Sequence, residues 1–194
     1  MIHTIGDSHS NSGWNGITNH NLGPLLCYSF GIEKLNRCDI RNFNIQSGDT
    51  IIFCLGEIDC RCHIYKYITE TKSFQDIIDE IIINYVDAVI LNIKISNLQF
   101  KHVCLYNVVP TIQKHNTYEY PHHPFLGSDE ERKQIVLYFN KRLKEECLKN
   151  NFIFFDIYNH YTDENGFLRK DLSDDNVHIR DGTYITNFIH DFLI

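Results

Sequence analysis

One uninterrupted apolar run decides the fold: Thr50-Ile51-Ile52-Phe53-Cys54-Leu55, which stops at Gly56. A short run without polar alternation suits a central strand of a parallel sheet, because helices cover both faces of such a sheet. Parallel neighbours require crossover connections, and these are usually helices. The run therefore predicts an α/β fold in which further strands alternate with helices along the chain.

Further strands are predicted where short apolar segments recur on both sides of this run. The segment 11–31 is rich in Gly, Asn and Ser, so we expect one short strand there and otherwise irregular backbone. The predicted strands lie at 2–5, around Ile17, at 103–109 and at 152–155.

Helices are predicted between these strands. Apolar residues recur at spacings of three and four from Phe74 to Ile93, and Ser73 is a candidate N-cap. A second helix is expected from Ser128 to about Lys149, with acidic residues in its first turn, and a terminal helix over 181–192. The alternation predicts a three-layer α/β/α sandwich with a mostly parallel, flavodoxin-like central sheet.

Composition limits the classes of partner. The chain has 194 residues, the scale of one compact domain, and 43% of them are hydrophobic, as in globular proteins. With 18 Lys and Arg against 25 Asp and Glu the formal net charge is −7, which lacks the clustered cations needed for nucleic acid and disfavours polyanionic substrates. Seven cysteines in a chain of this size favour reduced thiols over a disulfide framework.

A cytoplasmic location is expected from the targeting signals. The N-terminal residues have no basic and apolar leader pattern, and the Ile-rich stretch 77–95 is interrupted by charged and polar residues, so neither a signal peptide nor a membrane span is predicted. Abundant Ile, Asn, Tyr and Phe, whose codons are AT-rich, point to an AT-rich genome such as that of a large virus or a microbe.

Three polar turns are expected to meet at one edge of the sheet. They are Gly6-Asp7-Ser8, Gly56-Glu57-Ile58-Asp59 and the loop Ser173–His178 before the last helix. Ligands of open α/β sheets bind outside the carboxyl ends of the strands, so this edge is the candidate site. Ser8 is a candidate nucleophile, and Asp175-x-x-His178 can supply a base and the carboxylate that orients it.

The order of these motifs resembles that of the SGNH, or GDSL-like, hydrolases over nearly the whole chain. Gly6-Asp7-Ser8 follows the first strand, and Asp175-Asn176-Val177-His178 precedes the last helix. The resemblance implies one domain over residues 1–194, with Ser8 as nucleophile, His178 as base and Asp175 as the orienting acid. The approach to the last motif is similar to that of esterases acting on acylated sugars, and the Gly-Asp-Ser-His opening also resembles SGNH domains that process acyl groups on polysaccharides.

The resemblance also implies an oxyanion hole, formed by the Ser8 N–H, a glycine N–H and an asparagine side chain. Gly23 is the expected glycine, with Gly31 as an alternative. The family's Gly-x-Asn-Asp motif reads Gly56-Glu57-Ile58-Asp59 here, and the Ile58 side chain cannot donate a hydrogen bond. One oxyanion donor is therefore expected to be missing or to come from elsewhere.

Charged residues after the central strand allow two interpretations. Glu57, Asp59 and Arg61 are candidate substrate-binding residues, since a guanidinium can replace the missing donor or bind an anionic group. Alternatively, Glu57 or Asp59 pairs with Arg61 and holds the loop. The Tyr-rich segment 118–125 is likewise either a solvated loop or a lip that stacks on sugars.

Neither a metal nor a cofactor is expected. Thiol and imidazole groups are concentrated after the central strand, but their spacing is not that of a closed zinc site. No phosphate-binding glycine motif is present. The zinc candidates considered are Cys54, Cys60, Cys62 and His63.

The sequence thus predicts a cofactor-independent serine esterase that removes a small acyl group, acetyl in the first instance, from a carbohydrate through an acyl-serine intermediate. Two alternatives stay open: acyl transfer to a sugar hydroxyl on the same fold, and a carbohydrate-binding module on a catalytically decayed fold, suggested by Ile58. The expected partner is a small-molecule or glycan ester, with no nucleic acid or membrane partner.

Overall fold

A five-stranded, all-parallel sheet forms the centre of the protein in the computed structural model, which describes residues 1–194. The spatial order is β2-β1-β3-β4-β5, so the predicted apolar run forms the middle strand and all five of its residues are buried. The strands are β1 (Ile2–Gly6), β2 (Thr18–Asn21), β3 (Thr50–Cys54), β4 (His102–Tyr106) and β5 (Ile153–Phe155).

Four helices accompany the sheet: α1 (Cys27–Glu33), α2 (Phe74–Ser96), α3 (Asp129–Lys149) and α4 (Thr183–Phe192). The two long helices begin where the sequence predicts, each with a serine cap whose side chain accepts from the third helical N–H, while the acidic side chain there accepts from the serine. These reciprocal bonds satisfy donors that a helix N-terminus leaves free.

Two hydrophobic cores lie on opposite faces of the sheet, because successive strand residues point to opposite sides. Ile51 and Phe53 of β3 join the core beneath α1, α2 and α3. Ile52 and Cys54 of the same strand join the second core, which α4 and long loops cover. Both faces of β3 are therefore dry, which explains its continuous apolar sequence and confirms the predicted three-layer sandwich.

Helix α1 lies in the glycine-rich segment for which irregular backbone was predicted, and here the prediction is wrong. The acceptor at its N-terminus comes from a distant residue: the Asp59 carboxylate accepts from the Cys27 N–H at 2.7 Å and the Tyr28 N–H at 3.0 Å. Within α1, Gly31 packs so closely on α2 that an added Cβ would lie 2.9 Å from the Asn84 Cβ. Long-range contacts, not local propensity, stabilise this helix.

All seven cysteines are buried as free thiols, and burial raises the pKa of each of them. None of the four helices combines the length and the apolar character needed to cross a lipid bilayer.

Candidate active site

The turn after β1 carries Ser8 to the carboxyl edge of the sheet. It begins at Gly6, where an added Cβ would lie 2.0 Å from the Cys54 carbonyl oxygen, so only glycine fits against the neighbouring strand. The Asp7 N–H donates to that same carbonyl at 3.2 Å. These contacts fix the turn against β3 and present Ser8, half-buried, at the end of the strand.

A chain of hydrogen bonds links Ser8 to an aspartate through His178. His178 Nε2 lies 2.8 Å from Ser8 Oγ, and His178 Nδ1 lies 2.8 Å from Asp174 Oδ2. A carboxylate only accepts, so Nδ1 carries the proton and Nε2 is left to accept from the serine hydroxyl. The arrangement has the geometry of a Ser-His-Asp triad.

The pKa values of this pair suit a neutral base next to an ionised acid. Burial lowers the pKa of His178, as does the charge of nearby His9, against the opposing effect of Asp174. Burial alone would raise the pKa of Asp174, but its hydrogen bond to His178, the charge of that ring and two backbone N–H groups together hold it below the usual value. His178 is therefore unprotonated and Asp174 ionised at neutral pH.

The prediction that Asp175 orients His178 is wrong by one residue. Asp174 Oδ1 accepts from the N–H groups of Asn176 and His178 at 2.9 and 3.1 Å, and this folds the loop into a turn that brings Oδ2 to the imidazole. Asp175 has a left-handed backbone (φ 64°), and its exposed carboxylate makes no hydrogen bond. The spacing in this chain is thus Asp-x-x-x-His.

The predicted oxyanion donors differ in availability. No side chain or loop carbonyl accepts from the Ser8 N–H. Gly23 lines the same cavity as Ser8, but its N–H already donates to Asn21 Oδ1 at 2.9 Å, so the predicted donor is engaged. The alternative, Gly31, lies in the interface of α1 with α2. Ile58 lines the cavity, and its side chain offers no donor.

Glu57 and Arg61 form the buried ion pair that one of the two interpretations predicts. Arg61 Nε and Nη2 donate to the two Glu57 oxygens at 2.6 and 3.0 Å, and both side chains are almost completely buried. Asp59 is fully buried and accepts the first N–H groups of α1, so its prediction as a substrate-binding residue is wrong. Burial raises the pKa of Asp59 to about 7, although the two N–H groups act to lower it. Of the three predicted residues, only Arg61 lines the cavity.

A cavity of about 400 Å³ opens above Ser8 and His178. The segment 118–125, interpreted from the sequence as either a solvated loop or a lip that stacks on sugars, forms one side of it, and this lip lies next to Ser8 and His178. Tyr118 and Tyr120 are exposed, and their rings meet edge to face with centroids 5.1 Å apart. Most of the lining surface is apolar, and polar groups are contributed by residues that include Ser8, Asn21, Arg61, Asn176 and His178.

Contacts with buried side chains hold this lip in place. Arg61 Nη1 donates to the His123 carbonyl at 2.7 Å. The guanidinium carbons of Arg61 and Arg132 each lie 5.1 Å from the centroid of the Phe125 ring, within the range of a cation–π contact. Thr117 Oγ1 donates to Asn176 Oδ1 at 2.9 Å, which joins the lip to the loop that carries His178. None of these contacts was predicted from the sequence.

The residues considered as zinc candidates do not form a group of metal ligands. No group of three or more His, Cys, Asp or Glu side chains is arranged to hold a metal ion. Cys54, Cys60 and Cys62 are each buried in the hydrophobic interior.

Comparison with known proteins establishes the fold. No family model matches the sequence, and no curated protein matches it. Solved structures do: a GDSL-like lipase from Bacteroides thetaiotaomicron is 16% identical, with 98% of this chain and 85% of that chain covered and a TM-score of 0.64. A lipolytic protein of the G-D-S-L family from Veillonella parvula is 14% identical, with 99% and 97% covered and a TM-score of 0.60.

This is the SGNH hydrolase fold. A third structure, a catalytic mutant of an acetylxylan esterase from Geobacillus stearothermophilus, is 13% identical, with 100% of this chain and 94% of that chain covered and a TM-score of 0.59. The resemblance predicted from the sequence motifs is thereby confirmed for the SGNH fold.

Proposed function

We propose that the protein is a serine esterase that removes a small acyl group, in the first instance acetyl, from a carbohydrate through an acyl-Ser8 intermediate. The observation that carries the proposal is the continuous hydrogen-bonded chain from Ser8 through His178 to Asp174, with both links at 2.8 Å. A serine hydroxyl becomes an effective nucleophile when an oriented base takes its proton. The chain therefore supports acyl transfer chemistry at Ser8.

The reaction proceeds in two halves. Ser8 Oγ attacks the ester carbonyl carbon while its proton passes to His178 Nε2, and the Asp174 carboxylate stabilises the imidazolium. The carbon–oxygen bond to the sugar breaks, and the sugar oxygen takes the proton from Nε2. Water then attacks the acyl carbon and gives a proton to Nε2, and this proton returns to Ser8 Oγ as the carboxylic acid leaves.

Two groups at the cavity are available to stabilise the oxyanion. One is the backbone N–H of Ser8. The other is the side-chain amide of Asn21. Its Oδ1 accepts from the Gly23 N–H, so its NH₂ group points away from Gly23. This NH₂ group donates to no other group of the protein. Asn21 pairs with Gly6 across β1 and β2, which places it beside the Ser8 turn, and it lines the cavity. In this proposal Asn21 supplies the donor that Ile58 cannot.

A carbohydrate ester fits the walls of the cavity. The lining includes the amides of Asn21 and Asn176, which can bind hydroxyl groups. Tyr118 and Tyr120 offer exposed aromatic faces on which a sugar ring can stack. The acetylxylan esterase among the structural neighbours supports the same substrate class.

Labelling with a fluorophosphonate tests the proposed nucleophile. We expect one adduct, on Ser8, and we expect Ser8→Ala to abolish both the adduct and p-nitrophenyl acetate hydrolysis. Ser47→Ala, a substitution at an exposed serine near the start of β3, is the matched control and should behave as wild type. An adduct on a different residue, or unchanged hydrolysis by Ser8→Ala, would overturn the proposal.

Adding free sugars to the same assay separates hydrolysis from transfer. For an esterase, the ratio of free acid to acylated sugar stays high as the sugar concentration rises. A product ratio that turns towards acylated sugar would instead support the acyltransferase alternative. A distance between Ser8 and His178 beyond hydrogen-bond reach would have favoured the binding-module alternative, and the observed 2.8 Å argues against it.

A further inference from the structure

We propose that His9 acts as a buried imidazolium that positions His178 and disfavours the uptake of a proton by it from solvent. His9 follows the nucleophile in the chain, and its ring contacts the ring of His178, with centroids 4.8 Å apart and planes tilted by 44°. The proposal rests on the esterase function above and assigns a positioning role to a residue that does not touch the reacting atoms.

Both ring nitrogens of His9 face acceptors. Nδ1 lies 3.1 Å from Asp7 Oδ1, and Nε2 lies 3.2 Å from the carbonyl oxygen of Val177. Neutral imidazole has only one N–H, so it can satisfy one of these acceptors, whereas imidazolium satisfies both. The ring is 6% exposed and Asp7 is fully buried. The geometry therefore favours a cation paired with a buried carboxylate.

Electrostatics agree with this geometry. Burial alone would lower the pKa of His9, but the charge of Asp7 and its hydrogen bond, followed by the charge of Glu57 and the bond to Val177, raise it to about 9. His9 is then charged across the neutral range. Asp7 Oδ2 has no hydrogen-bond partner, so the ion pair is the main compensation for burying this carboxylate.

The hydrogen bond from His9 Nε2 to the Val177 carbonyl connects the turn that carries Ser8 to the loop that carries His178. Val177 immediately precedes His178. The backbone N–H of His9 donates to Asp7 Oδ1 at 2.8 Å, so His9 is held within the turn that carries Ser8. A rigid His9 holds the loop 174–178 at a set distance from that turn. The His9 backbone also helps to hold the turn, since its carbonyl accepts from Trp14 Nε1 at 2.7 Å.

The charged groups around His178 act in opposite directions. Asp174 and Glu57 favour its protonated form, whereas the His9 cation opposes it. Around His9 the charged groups are Asp7 and Glu57, and the ring of His178 lies against it. Arg61 is bonded to Glu57 and offsets part of the Glu57 charge. Removing the His9 cation should therefore let His178 take up a proton at a higher pH, which removes the free base under mildly acidic conditions.

Nuclear magnetic resonance of the imidazole groups tests this in the intact protein. In wild type at neutral pH we expect both nitrogens of His9 to carry protons. In His9→Gln, which keeps a donor without the charge, we expect the titration midpoint of His178 to rise by about one pH unit. His190→Gln, at an exposed histidine of α4, should leave that midpoint unchanged. A His9 ring with one unprotonated nitrogen, or an unchanged midpoint in His9→Gln, would overturn the proposal.

Two further measurements test the same proposal. Should His9→Gln fail to fold, Asp7→Asn tests the same ion pair: loss of the Asp7 charge should lower the His9 midpoint, and an unchanged midpoint would contradict the proposal. The acid limb of kcat/KM should move with the His178 midpoint in His9→Gln, whereas a merely structural role would lower the plateau alone. The titrations do not depend on activity, so failure of the esterase proposal is seen separately, as the lack of a Ser8 adduct.

Discussion

His178 Nε2 lies 2.8 Å from Ser8 Oγ, although 170 residues separate the two in the chain. The parallel sheet makes this meeting possible, because β1 lies next to the central strand and both deliver their turns to one edge. The loop before α4 reaches the same edge and is fastened there through His9 and Thr117.

Asp174→Asn should reduce kcat on the order of 10³-fold, because an amide can present its NH₂ group to the ring and no longer stabilises the imidazolium. Asp175→Asn is the matched control, since the Asp175 carboxylate contacts no hydrogen-bonding group. Steady-state hydrolysis of p-nitrophenyl acetate by both variants decides between the two neighbours. A loss confined to Asp175→Asn would restore the spacing that the sequence suggested.

The acid limb of kcat/KM should have its midpoint below the ordinary histidine value of 6.5. His178 must be unprotonated to act, so the rate rises with pH through its pKa, and burial together with His9 lowers that pKa. Profiles measured from about pH 4.5 to about pH 8 locate the midpoint. Asp174→Asn removes a group that raises this pKa, so its residual activity should show an even lower midpoint. A wild-type midpoint above 6.5 would contradict the prediction.

Asn21→Ala should lower kcat by about 10²-fold with little change in KM, because an oxyanion donor acts mainly in the transition state. Asn15→Ala, at an exposed asparagine in the loop before β2, serves as the control and should retain wild-type rates. Equal loss in kcat/KM and kcat is the signature to be measured. A variant that loses only ground-state affinity would assign Asn21 to substrate binding.

Stability should fall as the pH rises through about 9. The pKa of His9 is raised from 6.5 to about 9, so the folded protein binds a proton that the unfolded chain has lost; this contribution is fully present below pH 6.5 and disappears above about 9. Urea unfolding of wild type at about pH 7 and about pH 10 measures the loss. His9→Gln should show a smaller pH dependence over that range, and His190→Gln should match wild type.

Asp59→Ala should destabilise the protein by about 2 kcal/mol, because two buried backbone donors of α1 lose their acceptor. Folded Asp59→Ala should still form the fluorophosphonate adduct on Ser8, since the carboxylate does not line the cavity. Asp87→Ala, on the exposed face of α2, is the control. Chemical denaturation combined with labelling at low temperature separates stability from function. Loss of labelling in folded Asp59→Ala would return Asp59 to the site.

The sequence predicted what local patterns encode. Ser73 and Ser128 precede periodic apolar residues, and both are helix caps in the structure. The apolar run of β3 identified the centre of the sheet because burial on both faces leaves no place for polar residues. Ser8 and His178 were predicted to lie at one edge of the sheet because the order of motifs along the chain reflects the order of strands and loops.

What the sequence could not predict depends on contacts between distant residues. Helix α1 depends on hydrogen bonds to Asp59, which lies beyond β3 in the chain. The residues of α1 alone therefore do not predict a helix. The choice between Asp174 and Asp175 depends on which carboxylate accepts from backbone N–H groups in the folded loop. The sequence does not distinguish His9 from the other histidines, because its contacts with Asp7, Val177 and the ring of His178 exist only in the folded protein.

The burial of the seven thiols gives the protein a built-in reporter of its own unfolding. Thiol reagents react with the thiolate, and burial raises the pKa of Cys62 to about 11 and those of Cys38 and Cys147 to about 12. The native protein therefore does not react with alkylating reagents at neutral pH, whereas unfolding exposes all seven thiols at once. A mass spectrum taken during labelling should separate into two populations, unmodified molecules and fully alkylated ones, and their ratio over time counts how often the molecule opens.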